Sequence, residues 1–170
     1  MGFVPEDRKE QGLFLGMAVR ENITIGILDR FSILGFPRFR ELDRLAKRFV
    51  QQLDIRTPSL RQRVRNLSGG NQQKVVIAKW LTLHPKVLIL DEPTRGIDVG
   101  AKAEIHALMN RLAGEGVGII MISSELPEIL GISDRILVMR QGQIVGEFSR
   151  KEATQDAIML CAAGGKENAN

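Results

Sequence analysis

Val87-Leu-Ile-Leu-Asp-Glu-Pro93 joins an apolar run to a pair of acids and is the strongest indication of a fold class in the chain. Its first four residues form a short, uninterrupted apolar run, which is typical of a strand buried on both faces of a parallel sheet. Two carboxylates, Asp91 and Glu92, follow this run directly. Because open α/β sheets bind ligands beyond the carboxyl ends of their strands, both acids are predicted to lie at a binding edge. Neighbouring residues of a strand point to opposite sides, so the two acids are expected to take different roles.

A second segment, Asn66 to Lys74, reads Asn-Leu-Ser-Gly-Gly-Asn-Gln-Gln-Lys. Ser68 is predicted to cap a helix that runs to about Thr82. The two glycines leave backbone N–H groups open to an anion, and the helix dipole favours negative charge there. Taken alone, Ser-Gly-Gly is equally well explained by an ordinary capped helix. Combined with the carboxylate pair, it predicts parts of a nucleotide-hydrolysing site.

The rest of the chain alternates between helical and strand periodicity. Glu41 to Leu53 is predicted to be a helix, because apolar residues recur there at spacings of three and four, and Thr57-Pro58 is expected to stop it. We predict an α/β fold with a parallel sheet. The remaining predicted elements are a strand at Phe3-Val4, a helix from Gly100 to Ala113, a buried strand from Val117 to Ile122, a hairpin from Arg135 to Glu147 and a helix from Lys151 to Ala162.

Size and composition limit the possible classes of protein. The 170 residues, 44% of them hydrophobic, fit a single domain with its own core. No window approaches the roughly 18 apolar residues of a membrane span, and the N-terminus lacks the pattern of a signal peptide. The single cysteine, Cys161, excludes an internal disulfide and fits a reducing compartment.

Positive charge is concentrated in one loop of a chain whose net charge is +4. The chain has no tyrosine, and no aromatic residue lies between the arginines of this loop, so a platform for stacking bases is absent. We therefore expect no nucleic-acid partner, and a loop that is solvated or faces a protein. The arginines are Arg56, Arg61, Arg63 and Arg65.

The segment from Asn66 to Lys74, followed by the strand and acids from Val87 to Pro93, resembles the ATP-binding domain of ABC transporters. Leu67 to Gln73 matches the signature motif of that family, Val87 to Glu92 its Walker B strand and Gly96 to Asp98 its D-loop. Three further stretches resemble one subfamily, the second ATP-binding half of the tandem ATPases that drive bacterial importers of ribose, galactose, arabinose or xylose type. They are Val4 to Lys9, Asp91 to Lys102 and Ile122 to Glu128.

The resemblance implies a partial P-loop NTPase (RecA-like) sheet with an inserted helical subdomain. The helical signature subdomain would cover about residues 19–80, and the core residues 1–18 and 81–162, followed by a tail at 163–170. The family's phosphate-loop strand would lie between the strands at Val117 to Ile122 and Arg135 to Met139. Its absence would leave two strand edges unpaired, so rearrangement or pairing with another copy is expected.

The resemblance also implies roles for single residues. Ser68 and Gly70 would bind the γ-phosphate of a nucleotide held mainly by the opposite half. Asp91 would hold Mg²⁺, Glu92 would be the catalytic base and Asp98 would communicate between the halves. The nucleotide-binding set is completed by Gly69, Asn71 and Gln72.

The chain departs from the family pattern in three places. It contains no G-x-x-x-x-G-K-[ST] phosphate loop, so we expect a chain truncated before its start that does not hydrolyse ATP alone. Glu6 stands at the position of the Q-loop glutamine. Ser124 stands at the position of the switch histidine, and its side chain is too short to copy both hydrogen bonds of a histidine.

The resemblance implies ATP and Mg²⁺ as cofactors and a place on the inner face of the bacterial cell membrane. Its expected partners are a second ATP-binding half, membrane permease subunits, a sugar-binding protein reached through them, and a homo-oligomer of the fragment. An alternative is a non-catalytic regulatory half that supplies its signature motif to a partner's ATP site. A DNA-repair or chromosome ATPase is disfavoured, because no sustained heptads precede the signature motif.

Overall fold

The computed structural model describes residues 1–33 and 35–164, and the chain divides into two units, Met1–Ile122 and Ser123–Asn170. The predicted α/β fold with a parallel sheet is confirmed. No helix within the described residues is long and apolar enough to cross a membrane. The predicted division into a helical subdomain at 19–80 and flanking core segments stays a prediction.

The described residues of the first unit form five strands and four α-helices. Three further helical turns, Arg8–Gly12, Ile25–Phe31 and Val64–Asn66, connect them. In chain order the elements are β1 (Gly2–Val4), α1 (Val19–Thr24), β2 (Ser32–Ile33), β3 (Phe36–Pro37), α2 (Phe39–Gln52), α3 (Gly69–Leu81), β4 (Val87–Asp91), α4 (Val99–Gly114) and β5 (Gly118–Ile122).

A three-stranded parallel sheet, in the order β1-β4-β5, carries the core of the first unit. Ile89 of β4 pairs with Phe3 on one side and with Ile120 on the other. Leu88 and Leu90 are fully buried, as the apolar run predicts. The predicted apolar face of α4 is also buried; it consists of Ile105, Leu108, Met109 and Leu112.

The prediction that β5 is buried on both faces is wrong. Ile120 is 51% exposed and Ile122 is 49% exposed. Among the described strands, β5 pairs only with β4, so it forms an edge of the sheet and lacks the second neighbour that a central strand has. A continuous apolar run does not distinguish an edge strand from a central one.

Helices α2 and α3 confirm two further predictions with corrected ends. Helix α2 ends at Gln52 and the chain turns at Asp54, whose φ is +48°. The helix therefore ends before Thr57-Pro58, which does not stop it. Helix α3 begins at Gly69, one residue after Ser68, as predicted.

The second unit contains α5 (Leu126–Ile132), β6 (Arg135–Arg140), β7 (Gln143–Ser149) and α6 (Gln155–Ala163). The predicted hairpin is confirmed: β6 and β7 are antiparallel, and Gln141 and Gly142 turn the chain with φ of +49° and +77°. Positive φ at both turn residues is the geometry that two-residue hairpins favour. Helix α6 begins four residues later than predicted, and the predicted tail falls largely on residues 165–170, outside the described residues.

Candidate functional site

Ser68 occupies the N-cap position of α3 without capping it. Its side chain bonds no backbone N–H group of the helix, contrary to the prediction. Instead, the Asn71 amide Nδ2 donates to the Ser68 hydroxyl at 2.9 Å, while Asn71 Oδ1 accepts from the backbone N–H of Arg56 at 2.8 Å. Because a backbone N–H can only donate, the orientation of the Asn71 amide is fixed. The Ser68 oxygen is therefore an acceptor for Asn71, and its proton is available to an anion.

A cavity of about 120 Å³ opens in front of Ser68. Pockets that enclose whole small molecules measure roughly 300–1,000 Å³, so this cavity suits a phosphate group rather than a complete nucleotide. The cavity is lined by Arg56, Ser68, Gly70, Asn71, Asp98, Gly100, Ala101 and Glu104.

Close packing also favours glycine at positions 69 and 70, in addition to the approach of an anion. A Cβ on Gly69 would lie 2.9 Å from the guanidinium of Arg8 and 3.1 Å from the carbonyl oxygen of Gly96. A Cβ on Gly70 would lie 2.6 Å from the Cβ of Ala101. The start of α3 therefore packs directly against the loop after β4 and against α4.

Gln72, predicted to bind nucleotide, is buried and lies outside the lining of the cavity. Its Nε2 donates to the carbonyl oxygens of Val64 and Leu67, each at 3.2 Å. This side chain stabilises the turn that leads into α3, and its predicted contact with nucleotide gains no support from the geometry.

A chain of charges runs from the wall of the cavity, where Arg56 and Glu104 lie, to the buried Lys74. Lys74, whose side chain is only 5% exposed, pairs with Glu104 at 2.8 Å and donates to the carbonyl oxygen of Asp54 at 2.9 Å. Glu104 also pairs with Arg56 at 2.7 Å. The hydrogen bond from Lys74 is the main cause that holds the pKa of Glu104 below its ordinary value; burial opposes it, and the charges of Lys74 and Arg56 reinforce it. Local sequence patterns do not predict this cluster, because Lys74 and Glu104 lie 30 residues apart.

The two predicted carboxylates follow β4 in different conformations. Asp91 is the last residue of the strand and is half-buried. Glu92 leaves the strand with a φ of +45°, and its N–H donates to the carbonyl oxygen of Ile122 at 2.8 Å. The alternation of side-chain directions that was predicted for Asp91 and Glu92 therefore ends at Asp91, because Glu92 is no longer part of the strand. A left-handed conformation costs a residue with a Cβ roughly 1–2 kcal/mol, and such residues cluster at functional sites.

Asp98 and Glu6 both lie in the first unit. Asp98 caps α4, since its Oδ1 accepts from the N–H of Ala101 at 2.9 Å, and it lines the cavity with Ser68. Glu6 forms an ion pair with Arg95 in the loop after β4. Ser124 belongs to the second unit, beside Ser123, whose hydroxyl donates to Glu128 at 2.5 Å. The catalytic roles of Glu6 and Ser124 stay predictions.

The residues fit Mg²⁺ only together with phosphate. Residues 1–33 and 35–164 hold no cluster of three or more His, Cys, Asp or Glu side chains that could bind a metal. Mg²⁺ is commonly held by one or two carboxylates together with phosphate oxygens of a substrate. Asp91 alone therefore suits an ion that arrives with a nucleotide.

The sequence model of the ABC transporter family matches residues 1–95, more than half of the chain. The chain belongs to the ABC transporter family. Among solved structures, the ATP-binding cassette MJ1267 of an ABC transporter is similar, with a TM-score of 0.75 and 25% identity over 94% of this chain and 68% of that one. The cassette MJ0796, a dimer bound to ADP and Pi, has a TM-score of 0.72 and 22% identity over 88% of this chain and 62% of that one.

Curated relatives of this ABC family member are import ATP-binding proteins for sugars. The xylose import ATP-binding protein XylG of Thermoanaerobacter pseudethanolicus is 60% identical over 98% of this chain and 33% of its own length. The ribose import ATP-binding protein RbsA of Bacillus subtilis is 54% identical over 98% of this chain and 34% of its own length. The chain thus spans about a third of the length of these relatives.

The charge cluster of Lys74, Glu104 and Arg56 can be tested by substitution. Replacing Glu104→Gln leaves the buried Lys74 ammonium without its carboxylate, so we expect a loss of about 1 to 2 kcal/mol in the free energy of unfolding at neutral pH, measured by urea denaturation. The pKa of Glu104 is lowered in the folded state, so its contribution is complete above the ordinary value of 4.5 and is lost as pH falls through the lowered pKa.

The matched control is Glu115→Gln, which removes an exposed pair with Arg111 near the end of the same helix and should cost less than about 0.5 kcal/mol. Equal losses for both variants, or a stability difference between wild type and Glu104→Gln that persists unchanged in acid, would contradict the role of this cluster.

Proposed function

We propose that this chain is the signature-bearing part of the ATPase of a bacterial monosaccharide importer. The observation that carries the proposal is the Ser68 hydroxyl, which Asn71 orients into a cavity of phosphate size. The relatives that match almost the whole chain are named as xylose and ribose import ATP-binding proteins, which supports a monosaccharide as the transported substrate. Such a protein acts at the inner face of the membrane, next to its permease.

In this proposal, the chain binds one edge of an ATP molecule that a second ATP-binding half holds by its other phosphates. Ser68 donates its proton to the γ-phosphate, and Gly70 leaves room for the phosphate to approach. Arg56 adds positive charge at the mouth of the same cavity. Asp98, at the start of α4, lies where the two halves meet. The contacts made by Ser68 become available only when the halves close.

The carboxylates serve the chemical step. Asp91, with the phosphate oxygens, would hold Mg²⁺, which offsets the negative charge of the phosphates when bound. Glu92 would orient the attacking water and accept its proton. Because the chain has no phosphate-loop motif, it is not expected to hydrolyse ATP by itself.

A second candidate is a regulatory half that supplies Ser68 to its partner's nucleotide and hydrolyses nothing itself. The residues that favour it are Glu6 and Ser124, which replace a glutamine and a histidine at positions that the family pattern uses for catalysis. The two candidates differ in what they require of Glu92.

A chimera tests both candidates. This chain replaces the matching third of the Thermoanaerobacter pseudethanolicus relative, and phosphate release from ATP is measured. Ser68→Ala should lower turnover about tenfold or more, because one hydrogen bond to a charged phosphate is lost. Glu92→Gln should also lower turnover if this half is catalytic, and should leave it unchanged if this half is regulatory.

Two controls accompany this test. Ser59→Ala changes a serine outside the cavity and should leave turnover unchanged. The isolated chain with Mg-ATP should release no phosphate. Full turnover of the Ser68→Ala chimera would refute the proposed function.

The segment after β1 is our proposed contact with the permease. Phe14 is 50% exposed, and the buried Asn22 fixes its backbone: Asn22 accepts from its N–H at 2.8 Å and donates to its carbonyl oxygen at 3.0 Å. Arg20 and Glu21 lie in the same segment, Gly12 to Asn22, which we expect to face the permease, but they serve local structure instead. Arg20 pairs with Asp43 at 3.0 Å, and Glu21 accepts from the N–H of Ala18.

Phe14→Ser should therefore weaken binding of the chimera to its permease about tenfold while leaving its melting temperature unchanged, since an exposed aromatic ring contributes to an interface rather than to the core. Pull-down with the permease in detergent, alongside thermal denaturation, measures both quantities. Unchanged binding would remove this segment from the interface.

The free edges of two strands support a further partner, a second copy of this chain. Among the described strands, β5 pairs only with β4, and β6 pairs only with β7. Exposed apolar strand edges pair readily with other chains. We expect the elution volume of the isolated chain to shift from monomer to dimer with increasing concentration in size-exclusion chromatography, whereas a monomer at every concentration would contradict homo-oligomerisation.

A further inference from the structure

Arg8 is a charged residue in an unusual place for its type. It is only 8% exposed, although it lies in a polar run of the sequence. Its Nη1 donates to the carbonyl oxygen of Arg95 at 2.8 Å, and its Nη2 donates to the carbonyl oxygen of Gly96 at 3.2 Å. Both acceptors lie in the loop after β4, almost 90 residues further along the chain.

The guanidinium also contacts the start of α3. A Cβ on Gly69 would lie 2.9 Å from Arg8 Nη2, so the two groups are already in close contact. One side chain thus reaches three segments: the turn after β1 that carries it, the loop after β4, and the first turn of α3. Ser68 directly precedes Gly69, which Arg8 contacts. Asp98 follows Gly96, whose carbonyl oxygen Arg8 binds, by two residues. Arg8 therefore contacts the chain close to both of these cavity-lining residues.

Stability alone is a weak explanation for this arrangement. The acceptors are neutral carbonyls, and within the described residues the buried Nε has no hydrogen-bond partner. Burial lowers the pKa of Arg8, which shows that the site disfavours its charge, while Asp7 acts in the opposite direction. Removing a cation from water in this way is costly, whereas its planar, charge-assisted fork fixes the positions of two carbonyls with high directional precision.

We propose that Arg8 is a positioning residue for the cavity in front of Ser68: it holds the loop after β4 against the start of α3, so that Ser68 and Asp98 keep the separation that a phosphate requires. This inference rests on the proposed function for the identity of the ligand. Gly96, with a φ of +67°, turns the loop so that its carbonyl oxygen is available to Arg8. The ion pair between Glu6 and Arg95 also joins the turn after β1 to the loop after β4.

Hydrogen exchange on the full chain tests the positioning without nucleotide. In Arg8→Gln, peptides that cover Ser68 to Gln72 and Arg95 to Lys102 should exchange at least about tenfold faster, while the β6–β7 hairpin stays unchanged. Arg20→Gln is the matched control, because it removes another arginine of the first unit that contacts neither segment. No acceleration, or equal acceleration in all peptides of the first unit, would overturn the proposal.

Kinetics of the chimera described above provide the second measurement. Arg8→Gln should lower kcat about tenfold and leave KM for ATP unchanged, because the nucleotide is held mainly by the opposite half. Arg8→Lys keeps the charge without the planar fork and should fall between wild type and Arg8→Gln. Unchanged kcat in Arg8→Gln, when Ser68→Ala is impaired, would overturn the positioning role and leave the proposed function intact. If Ser68→Ala were itself fully active, the proposed function would fail, and hydrogen exchange would decide on Arg8 independently.

Discussion

The close approach of α3 to the loop after β4 is the constraint on which the rest of the site depends. It is possible only because Gly69 and Gly70 have no Cβ, so that Gly96 and Ala101 can occupy the space beside them. This contact brings two segments of the chain to one cavity: the serine before α3 and the aspartate that caps α4. Any side chain at either glycine would separate them.

Polar groups surround this contact in two layers, one of neutral hydrogen bonds and one of ion pairs. At the cavity, Asn71 and Ser68 form neutral hydrogen bonds that keep one hydroxyl proton available. Behind them, Glu104 lies between two cations, one exposed and one buried. Arg56 connects the two layers, because its backbone N–H donates to Asn71 and its guanidinium pairs with Glu104. Lys74, which lies outside the lining of the cavity, thus supports the site through Glu104 without contacting the ligand.

The sequence predicted those parts of the molecule that depend on local patterns. The periodicity of α2, the apolar run of β4 and the positions of the turn at Gln141-Gly142 are local, and each matches the structure closely. The edge position of β5 could not be predicted, because an apolar run does not show how many strands pair with it in the sheet. The burial of Arg8 and Lys74 was also missed, since their partners lie far away in the chain and charged residues in polar runs are normally solvated.

The backbone at Glu92 has a consequence for how this position tolerates change. Its φ of +45° is a conformation that glycine and asparagine adopt with less strain than glutamate. Under the proposed function, in which Glu92 is the catalytic base, folding and chemistry make opposite demands on this residue, and the most stable chain and the most active chain differ at this position. In the chimera, a saturation scan at position 92 would then give different residues for the highest thermal resistance and for the highest ATP turnover, as expected where an active site trades stability for activity.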